Sequence, residues 1–462
     1  QFANSGAENH EMTQRAVAAV ILAAGMGTRM KSALPKVLHP VAGRPMINRI
    51  IDTLAPLRPE RTVVVTAPDH DAVRAAVAPA KTAVQQPALG TAHAVLAARE
   101  HLEGFDGIVL VMFGDTPLLT AETMRAMAGA MEGPADPAVA VLGFRPEDPA
   151  AYGRLVTGGD GALEAIVEFR DCDEAQKRIG FCNAGIMGLD GRVALALLDR
   201  IGNDNAKGEY YLTDIVALAR AEGRACVTVE GDAEEVMGVD DRLRLAAAER
   251  VAQRRLRNDA MANGATLIDP GTVHFCWDTK LGRDVTVEPH VVFGPGVTVG
   301  DDVRIKAFSH LEGANVHATA EIGPYARLRP GAEIQAAARI GNFVEVKKAV
   351  IEAGAKVNHL SYIGDARVGR QANIGAGTIT CNYDGFDKHR TDIGAGAFIG
   401  SNSALVAPVR IGDGAIVGAG STIAEDVAAD DLAFTRAPQT AKSGWAAGFR
   451  AGRQDRKNKN AK

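Results

Sequence analysis

The stretch VTVEPHVVFGPGVTVGDDVRI, residues 285–305, decides the fold of the second half of the chain. An aliphatic residue stands at every sixth position: Val285, Val291, Val297 and Val303. A second apolar series follows two residues behind: Val287, Phe293, Val299 and Ile305. A period of six is typical of a parallel β-helix, in which each hexad forms one flat face and three hexads close a coil of about 18 residues. The stretch therefore predicts a triangular coil with its aliphatic side chains inside.

The same period extends through most of the C-terminal half. Its later members are Leu311, Val316, Ile322, Leu328, Ile334, Ile340, Val346, Ile393, Ile399, Leu405, Ile411, Val417 and Ile423. The period is interrupted between Ile374 and Ile393, around CNYDGF at residues 381–386. Insertions into a regular repeat tend to lie on a binding face, so we expect this loop to contact a ligand.

The first half of the chain has a different pattern, in which short apolar runs alternate with helical stretches. The runs predicted as strands are Val17–Leu22, Thr62–Thr66, Ile108–Met112 and Ala138–Leu142. The helical patterns are Pro45–Leu54, His70–Val77, Thr91–Glu100 and a longer one at Asp241–Ala262. This alternation is typical of βαβ units in a doubly wound parallel sheet. We therefore predict an α/β domain, a helical bridge and a β-helix.

The length of 462 residues is enough for about three domains. The predicted segments are a disordered extension at 1–14, an α/β domain at 15–240, a helical linker at 241–263, a β-helix at 264–440 and a C-terminal tail at 441–462. The chain has 50 glycines and only 22 aromatic residues. This composition suits a narrow coil filled by aliphatic side chains and turned by small residues.

Composition also excludes several classes of protein. The net charge of −5 argues against a broad nucleic-acid-binding surface. We expect no membrane span, because no run of 18 apolar residues occurs. The five cysteines are Cys172, Cys182, Cys226, Cys276 and Cys381. Because their number is odd and their spacing wide, we expect no disulfide framework and no zinc–cysteine site, and we infer a reducing cytoplasm.

A glycine-containing turn follows the first predicted strand, with the sequence AAGMGTRM at residues 23–30. Gly25 and Gly27 allow the backbone to approach a ligand with its N–H groups, and Arg29 and Lys36 add positive charge. Methionine replaces the third glycine of the dinucleotide fingerprint, and no Walker G-K-[ST] follows. The turn therefore indicates phosphate binding of another kind.

An acidic residue, Asp115, follows the predicted strand Ile108–Met112. The carboxyl ends of parallel strands form the crevice in which α/β sheets bind ligands. A carboxylate there can bind Mg²⁺ when substrate phosphates complete the coordination shell, or it can cap a helix. Both interpretations stay open from the residue alone.

The segments around these residues resemble known families. Residues 22–36 resemble the signature of sugar-nucleotide pyrophosphorylases, and the Gly90-Thr91 turn, Asp115 and NDNAKGEYYLTD at 203–214 strengthen that resemblance.

The hexads resemble those of hexapeptide acyltransferases, and GNFVE at 341–345 and NIGAGTITCNY at 373–383 are specific within that class. Over about Val17–Trp445 the chain resembles the bacterial family of bifunctional N-acetylglucosamine-1-phosphate uridyltransferases and glucosamine-1-phosphate acetyltransferases. The resemblance implies a Rossmann-like nucleotidyltransferase domain, a left-handed β-helix and a cytoplasmic homotrimer.

In that family the N-terminal domain joins UTP to N-acetylglucosamine 1-phosphate and releases pyrophosphate. The resemblance implies Leu22, Ala23, Ala24, Gly25, Gln85, Gly90, Thr91 and Gly114 at the nucleotide, Arg29 and Lys36 at the phosphates, Gly153, Glu168 and Asn183 at the sugar, and Asp115 and Asp240 at Mg²⁺. The family usually has asparagine where this chain has Asp240. The extra negative charge can strengthen metal binding, and it can also repel the triphosphate.

The C-terminal domain of that family acetylates glucosamine 1-phosphate with acetyl-CoA. The resemblance implies His359 as general base, which suits an imidazole because it titrates near working pH. The further residues implied are Arg329 and Lys347 at the sugar phosphate, Glu345, Tyr362 and Asn373 at the sugar and its amine, and Ala376, Asn382, Tyr383, Ser401, Ala419 and Arg436 at acetyl-CoA.

Two alternatives remain open at this level. The chain could be a pyrophosphorylase whose β-helix serves only oligomerisation or regulation. His359, Lys347, Arg329 and the loop at 381–386 argue against this alternative. It could also be a sugar-nucleotide sensor without enzymatic activity. The joint presence of Arg29, Lys36 and Asp115 argues against a sensor.

Overall fold

The structure is a computed structural model that describes residues 15–149, 152–159, 161–205 and 207–460, and the extension predicted at 1–14 lies outside them. The chain forms two compact units that divide between Asn258 and Asp259. Within the described ranges, no helix combines the length and the apolar character needed to cross a membrane. All five cysteines are present as thiols.

The N-terminal unit is built on a nine-stranded sheet. Its strands are β1 (Val17–Ala23), β2 (Arg61–Thr66), β3 (Lys81–Val84), β4 (Ile108–Phe113), β5 (Val139–Phe144), β6 (Arg154–Thr157), β7 (Leu163–Val167), β8 (Cys182–Asp190) and β9 (Cys226–Glu230). Its α-helices are α1 (Met46–Leu54), α2 (Asp71–Val77), α3 (Thr91–Ala97), α4 (Arg99–Leu102), α5 (Ala121–Ala130), α6 (Gly191–Leu198) and α7 (Ile215–Ala221), and α8 (Arg242–Ala262) follows. Smaller elements are the ribbon Pro40–Val41 with Arg44–Pro45 and the 3₁₀ turns Thr28–Met30, Lys36–Leu38, Ala55–Leu57, Phe169–Asp171, Gln176–Arg178 and Leu212–Asp214.

The path through the sheet is β9-β5-β8-β4-β1-β2-β3. Every residue of β1 is buried, because hydrophobic clusters cover both faces of this part of the sheet. β1 runs parallel to β2 and β4, with Ala23 beside Thr66 and Leu22 beside Phe113. The carboxyl ends of these three strands therefore lie at one edge, where α/β sheets bind ligands.

The sheet is mixed, which corrects the parallel sheet predicted from the sequence. β8 lies between β4 and β5 and runs antiparallel to both, and it also pairs with the β6–β7 hairpin. The sequence pattern does not predict β8, because Gly185 and Gly188 interrupt its apolar residues. A Cβ at Gly185 would collide with the Phe113 ring, and one at Gly188 would lie 3.0 Å from Met131. Gly185 is therefore required by its backbone conformation and by packing inside the sheet, and Gly188 packs closely against Met131.

The helical predictions are largely confirmed. The helix predicted at Thr91–Glu100 is divided at Ala98 into α3 and α4. The long pattern near residue 250 forms α8, which buries Ala248 and Val251 in a cluster of the N-terminal unit.

The C-terminal unit is a triangular coil with three faces of parallel strands. One face comprises Thr266–Leu267, Thr286–Val287, Arg304–Ile305, Glu321–Ile322, Arg339–Asn342, Lys356–His359, Asn373–Ile374, Phe398–Ile399, Ile416–Val417 and Leu432–Ala433. The other two comprise Lys280–Leu281, Val292–Phe293, Thr298–Val299, His310–Leu311, Ala314–Val316, Arg327–Leu328, Ala332–Ile334, Glu345–Ile351, Tyr362–Val368, Ile379–Cys381, Thr391–Ile393, Ala404–Val406, Val409–Ile411 and Thr422–Ile423. A 3₁₀ turn at Pro270–Thr272 and the helix α9 (Trp445–Asn460) complete this unit.

The hexad prediction of a parallel β-helix is confirmed, and its strands are consistent with the left-handed form that the resemblance implies. The aliphatic and phenylalanine residues of the hexad series are all buried, with at most 4% of their surface exposed. Thr286 pairs with Arg304, which is 18 residues later, as expected for one coil. Asn373 pairs with Phe398, which is 25 residues later, so the interruption in the period is a loop outside the coil.

One corner of the coil has a ladder of stacked rings. The rings of Phe308, Tyr325 and Phe343 stack with centroids 4.8 and 5.0 Å apart, each from a residue with positive φ. Leu360 occupies the next position of this corner, with φ of 48° and its N–H donated to the Asn342 carbonyl. This corner fixes the backbone next to His359.

Candidate active sites

Two acids and two cations meet at the sheet edge where β1 and β4 end. Lys36 Nζ donates to an oxygen of Asp115 and lies 3.0 Å from Asp240 Oδ1. The Arg29 guanidinium lies 3.0 Å from the same Asp240 oxygen. Burial lowers the pKa of Lys36, but the carboxylates of Asp115 and Asp240 outweigh it and leave that pKa above its ordinary value. The ammonium group is therefore held as a cation between two carboxylates.

The backbone brings these four side chains together from distant parts of the sequence. Arg29 and Lys36 each lie in a 3₁₀ turn after β1, Asp115 follows β4, and Asp240 precedes α8. The N–H of Val239 donates to the Asp115 carbonyl at 2.9 Å. This bond ties the segment that carries Asp240 to the end of β4.

The glycines of this edge have different roles. Gly25 has open space where a Cβ would stand, as expected of a residue that a ligand approaches. Gly27 has φ of 58°, and a Cβ there would lie 2.6 Å from Lys36 Cβ. A Cβ at Gly114 would lie 2.9 Å from Ile47. Gly27 is therefore required by its backbone conformation and by packing within the protein itself, and Gly114 is tightly packed against Ile47.

The predicted residues of the nucleotide side are anchored to neighbouring backbone. Gln85 is buried, and its Nε2 donates to the Gly90 carbonyl at 2.9 Å. Thr91 Oγ1 accepts the N–H of Leu212 at 2.9 Å. A Cβ at Gly90 would lie 2.5 Å from the Tyr210 carbonyl oxygen. The remaining predicted residues follow the strand, with Leu22 and Ala23 buried at its end and Ala24 more exposed beyond it.

A cavity of about 670 Å³ includes Thr91, Glu168 and Asn183 in its lining. Asn183 donates its N–H to the Gly153 carbonyl at 2.8 Å, and the Glu168 carboxylate lies beside Gly153. Burial raises the pKa of Glu168. The three residues predicted at the sugar therefore lie together, and two of them, Glu168 and Asn183, line a cavity large enough for a small ligand.

In the β-helix, four of the predicted residues are connected on successive coils. Arg329 donates to Glu345 Oε1 at 2.7 Å, and Glu345 stands beside Tyr362 in the sheet register. Asn382 Nδ2 donates to the Tyr362 hydroxyl at 3.5 Å and to Asp365 Oδ2 at 2.5 Å. The hydrogen bond with Glu345 raises the pKa of Arg329.

Lys347 lies on the same strand as Glu345, beside Lys388 from the loop that interrupts the hexads. The hydrogen bond and charge of Lys388 lower the pKa of Lys347. Two adjacent ammonium groups attract an anion with two or more negative oxygens, such as a phosphate monoester.

His359 is exposed, and its side chain bonds to a residue outside the connected set that contains Arg329. Its Nδ1 lies 2.9 Å from Asn342 Oδ1, and the two residues are register partners on adjacent coils. Because an amide oxygen only accepts, the bond places the proton on Nδ1 and leaves the Nε2 lone pair available. The ring is thereby oriented for proton acceptance at Nε2.

The residues predicted at acetyl-CoA lie on later coils. The Ala376 carbonyl accepts the N–H of Asn402, next to Ser401, and the Ala419 carbonyl accepts from Arg436 at 2.6 Å. Tyr383 is 59% exposed on the loop. Asn373 lies on the face that also carries Phe398 and Ile416.

Sequence reasoning missed several residues of these sites. Asn342, in the motif GNFVE at 341–345, has no role predicted from the sequence, although it precedes His359 by about one coil. Lys388, Asp365 and the Asn205 and Lys207 lining of the cavity were also not assigned. A register drawn on the hexads would have found Asn342, whereas the cavity lining depends on tertiary folding.

Comparisons with known proteins agree with this architecture. The profile of the MobA-like NTP transferase domain matches residues 19–177, and that of the bacterial transferase hexapeptide (six repeats) matches residues 278–313 and 390–425. The bifunctional protein GlmU of Paramagnetospirillum magneticum is 60% identical over 97% of this chain and 100% of its own length. That of Rhodospirillum rubrum is 64% identical over 94% of this chain and 97% of its own. The chain therefore belongs to the GlmU family of bifunctional proteins.

Proposed function

We propose that the β-helix acetylates glucosamine 1-phosphate with acetyl-CoA, and that the α/β domain then transfers UMP from UTP to N-acetylglucosamine 1-phosphate and releases pyrophosphate. The observation that carries this proposal is the presence of two reactive centres in one chain. One is the cluster of Arg29, Lys36, Asp115 and Asp240 at the sheet edge, and the other is the oriented imidazole of His359.

In uridylyl transfer an oxygen of the sugar phosphate attacks the α-phosphorus of UTP, and the bond from that phosphorus to the bridging oxygen of pyrophosphate breaks. Negative charge on the transferred group and on pyrophosphate must be stabilised. Arg29 and Lys36 supply cations at this edge of the sheet, and each would exchange a carboxylate partner for a phosphate oxygen. The uridine would contact Leu22, Ala23, Ala24, Gly25, Gln85, Gly90 and Thr91, and the sugar would contact Gly153, Glu168 and Asn183.

Asp115 and Asp240 fit a magnesium ion. Their carboxylates both bond the same ammonium group, and carboxylate oxygens are the protein ligands that Mg²⁺ prefers. Across the described ranges, no three His, Cys, Asp or Glu side chains are grouped so as to hold a metal. Phosphate and water oxygens would therefore complete the shell. The bound ion would neutralise charge on the triphosphate.

In acetyl transfer the amine of glucosamine 1-phosphate attacks the thioester carbonyl carbon, a C–N bond forms, and the C–S bond to coenzyme A breaks. The attacking nitrogen loses a proton, which we assign to His359 Nε2. Arg329 and Lys347 would bind the sugar phosphate. The remaining assignments are Glu345, Tyr362 and Asn373 at the sugar, and Ala376, Asn382, Tyr383, Ser401, Ala419 and Arg436 at acetyl-CoA.

We further propose a cytoplasmic homotrimer, with domain boundaries at residues 240 and 264 on either side of α8. Apolar residues on the outer face of three successive coils support assembly: Phe398, Ile416 and Leu432 are 48, 47 and 63% exposed. Sedimentation of the full chain tests the trimer, and a monomer that retains acetyl transfer would refute it.

A coupled assay tests the function. The full chain is supplied with glucosamine 1-phosphate, acetyl-CoA and UTP, with each substrate omitted in turn. We expect free coenzyme A only when the first two are present, and pyrophosphate only when UTP is added to them. Pyrophosphate release from N-acetylglucosamine 1-phosphate without any acetyl transfer would instead support the pyrophosphorylase-only alternative.

A further inference from the structure

Three backbone segments supply the residues proposed at the sugar. Gly153 lies just before β6, Glu168 just after β7, and Asn183 at the start of β8. Pairing of β6 with β7 and with β8 places these three segments side by side in the sheet. The Asn183–Gly153 hydrogen bond joins two of them through the backbone.

The side chain of Arg154 joins all three segments. It is only 2% exposed, which is rare for arginine. Its Nη1 donates to the Pro149 carbonyl at 2.9 Å and to the Tyr152 carbonyl, both on the Gly153 side. Its Nη2 donates to the Lys177 carbonyl at 3.4 Å, on the segment that leads to β8.

The third segment is contacted through an aromatic ring. The guanidinium carbon of Arg154 lies 5.2 Å from the centroid of the Phe169 ring, and Phe169 directly follows Glu168. A planar guanidinium can stack on a ring and donate in several fixed directions at the same time, whereas an ammonium group on a flexible stem lacks the planar fork that fixes these directions. Arg154 also stands opposite Cys182 in the sheet, next to the Gly153–Asn183 pair.

We propose that Arg154 is a positioning residue for the sugar phosphate in uridylyl transfer, an inference that rests on the proposed function of this domain. It acts through Gly153, Glu168 and Asn183 by holding their segments in register. The residues at UTP depend on other contacts, namely the Lys36 cluster and the Gln85–Gly90 bond. Loss of Arg154 should therefore affect the two substrates unequally.

The test compares Arg154→Met and Arg154→Lys in the full chain. Small displacements of binding residues are costly, so we expect Arg154→Met to raise the KM for N-acetylglucosamine 1-phosphate roughly tenfold. The KM for UTP should change much less. The KM of Arg154→Lys for N-acetylglucosamine 1-phosphate should lie between those of the unmodified chain and Arg154→Met, because lysine keeps the charge and loses the planar fork. Isothermal titration with each substrate provides a measurement independent of turnover.

Arg145→Met is the matched control. Arg145 also lies over a ring, 4.7 Å from the centroid of Phe181, but it is more exposed and pairs with Glu230. We expect its KM values to stay unchanged. Acetyl transfer by the β-helix shows whether each variant preparation is otherwise intact.

The outcomes distinguish a failure of the proposed function from a failure of the inference about Arg154. An unmodified chain that neither binds nor converts N-acetylglucosamine 1-phosphate overturns the proposed function and this inference with it. If the unmodified chain is active and Arg154→Met raises both KM values equally, or weakens UTP binding as much as sugar binding, Arg154 has only a structural role and the inference alone is overturned.

Discussion

The two candidate sites are assembled over very different distances in the sequence. At the sheet edge, Lys36 bonds to residues 79 and 204 positions away. In the β-helix, Arg329 bonds to a residue 16 positions away, and His359 to one 17 positions away. The sheet edge thus depends on the tertiary fold of a whole domain, whereas the β-helix site depends on the stacking of neighbouring coils.

The two sites also differ in how their charges are satisfied. Asp240 pairs with both Arg29 and Lys36, so a change at one member alters the partners of the others. His359 is exposed and has one oriented bond to Asn342. We therefore expect substitutions in the β-helix site to act on one step, and substitutions at the sheet edge to act through a network.

The largest expected effect is that of His359→Ala, which tests the local character of the β-helix site. Removing a general base should lower acetyl transfer about 10²–10⁴-fold, while uridylyl transfer should be unchanged. Rates of coenzyme A release and pyrophosphate release measure the two steps. The control is His317→Ala, since His317 is another imidazole of the β-helix and is paired with Glu333. Equal loss of both activities would indicate misfolding and would remove the support for a local role.

Asn342→Ala should have a smaller effect on the same step. Without the Asn342 oxygen, His359 loses the bond that selects its tautomer and orientation, and we expect a roughly ten- to hundredfold lower kcat for acetylation. The KM for acetyl-CoA should change little. Asn315→Ala is the control, because Asn315 makes its side-chain bond to Glu333. A loss as large as that of His359→Ala would mean that Asn342 takes part in the chemistry directly.

The same contrast decides how much the sequence alone can predict. The residues that the hexad period placed in the core of the coil are all buried, because a repeat fixes both the strand and its neighbour. In the α/β domain the strands β1, β2, β4 and β5 were found from their apolar runs. β8 was missed because its glycines serve packing against Phe113 and Met131, which no local pattern reveals.

Site residues follow the same rule. The resemblance implied Asp115 and Asp240, but their shared bond to Lys36 becomes evident only in the folded domain. Arg154 directly follows Gly153, which the resemblance implied at the sugar. The role of the Arg154 side chain becomes evident only from its burial and its carbonyl partners in the folded domain. The position of Asn342 beside His359, by contrast, can be predicted by aligning the hexads of adjacent coils.

Asp240→Ala tests whether the sheet-edge site acts as a network. We expect the Mg²⁺ concentration for half-maximal uridylyl transfer to rise at least about tenfold, since metal sites lose 10–100-fold even when a supporting residue is removed. Arg29 also loses a partner, so the KM for UTP should change as well. Magnesium titrations at several UTP concentrations measure both.

Asp241→Ala is the control for Asp240→Ala, since Asp241 accepts the Arg244 N–H near the start of α8. A magnesium dependence that is the same in Asp240→Ala and the unmodified chain would contradict the metal assignment. A changed magnesium dependence with an unaltered KM for UTP would mean that the residues act separately.

The smallest expected effect is that of Glu168→Gln on stability. Burial raises the pKa of Glu168 in the folded state, so the folded chain favours the neutral acid and stability falls as pH rises through that raised pKa. At pH 7 the glutamine should therefore slightly stabilise the N-terminal domain, while it weakens binding of the sugar phosphate. The gain should vanish below the ordinary pKa of glutamate, where both states are protonated.

Hydrogen exchange of N-terminal peptides in the full chain, at pH 7 and at pH 4, measures this difference. Glu164→Gln, at an exposed position of β7, should show no gain at either pH. In the β-helix, Glu345→Gln should not stabilise the fold, because Glu345 is paired with Arg329. A gain from Glu168→Gln that persists at pH 4 would mean that packing, rather than the buried charge of Glu168, is responsible. The cavity of the N-terminal domain would then bear no electrostatic cost that the β-helix site avoids.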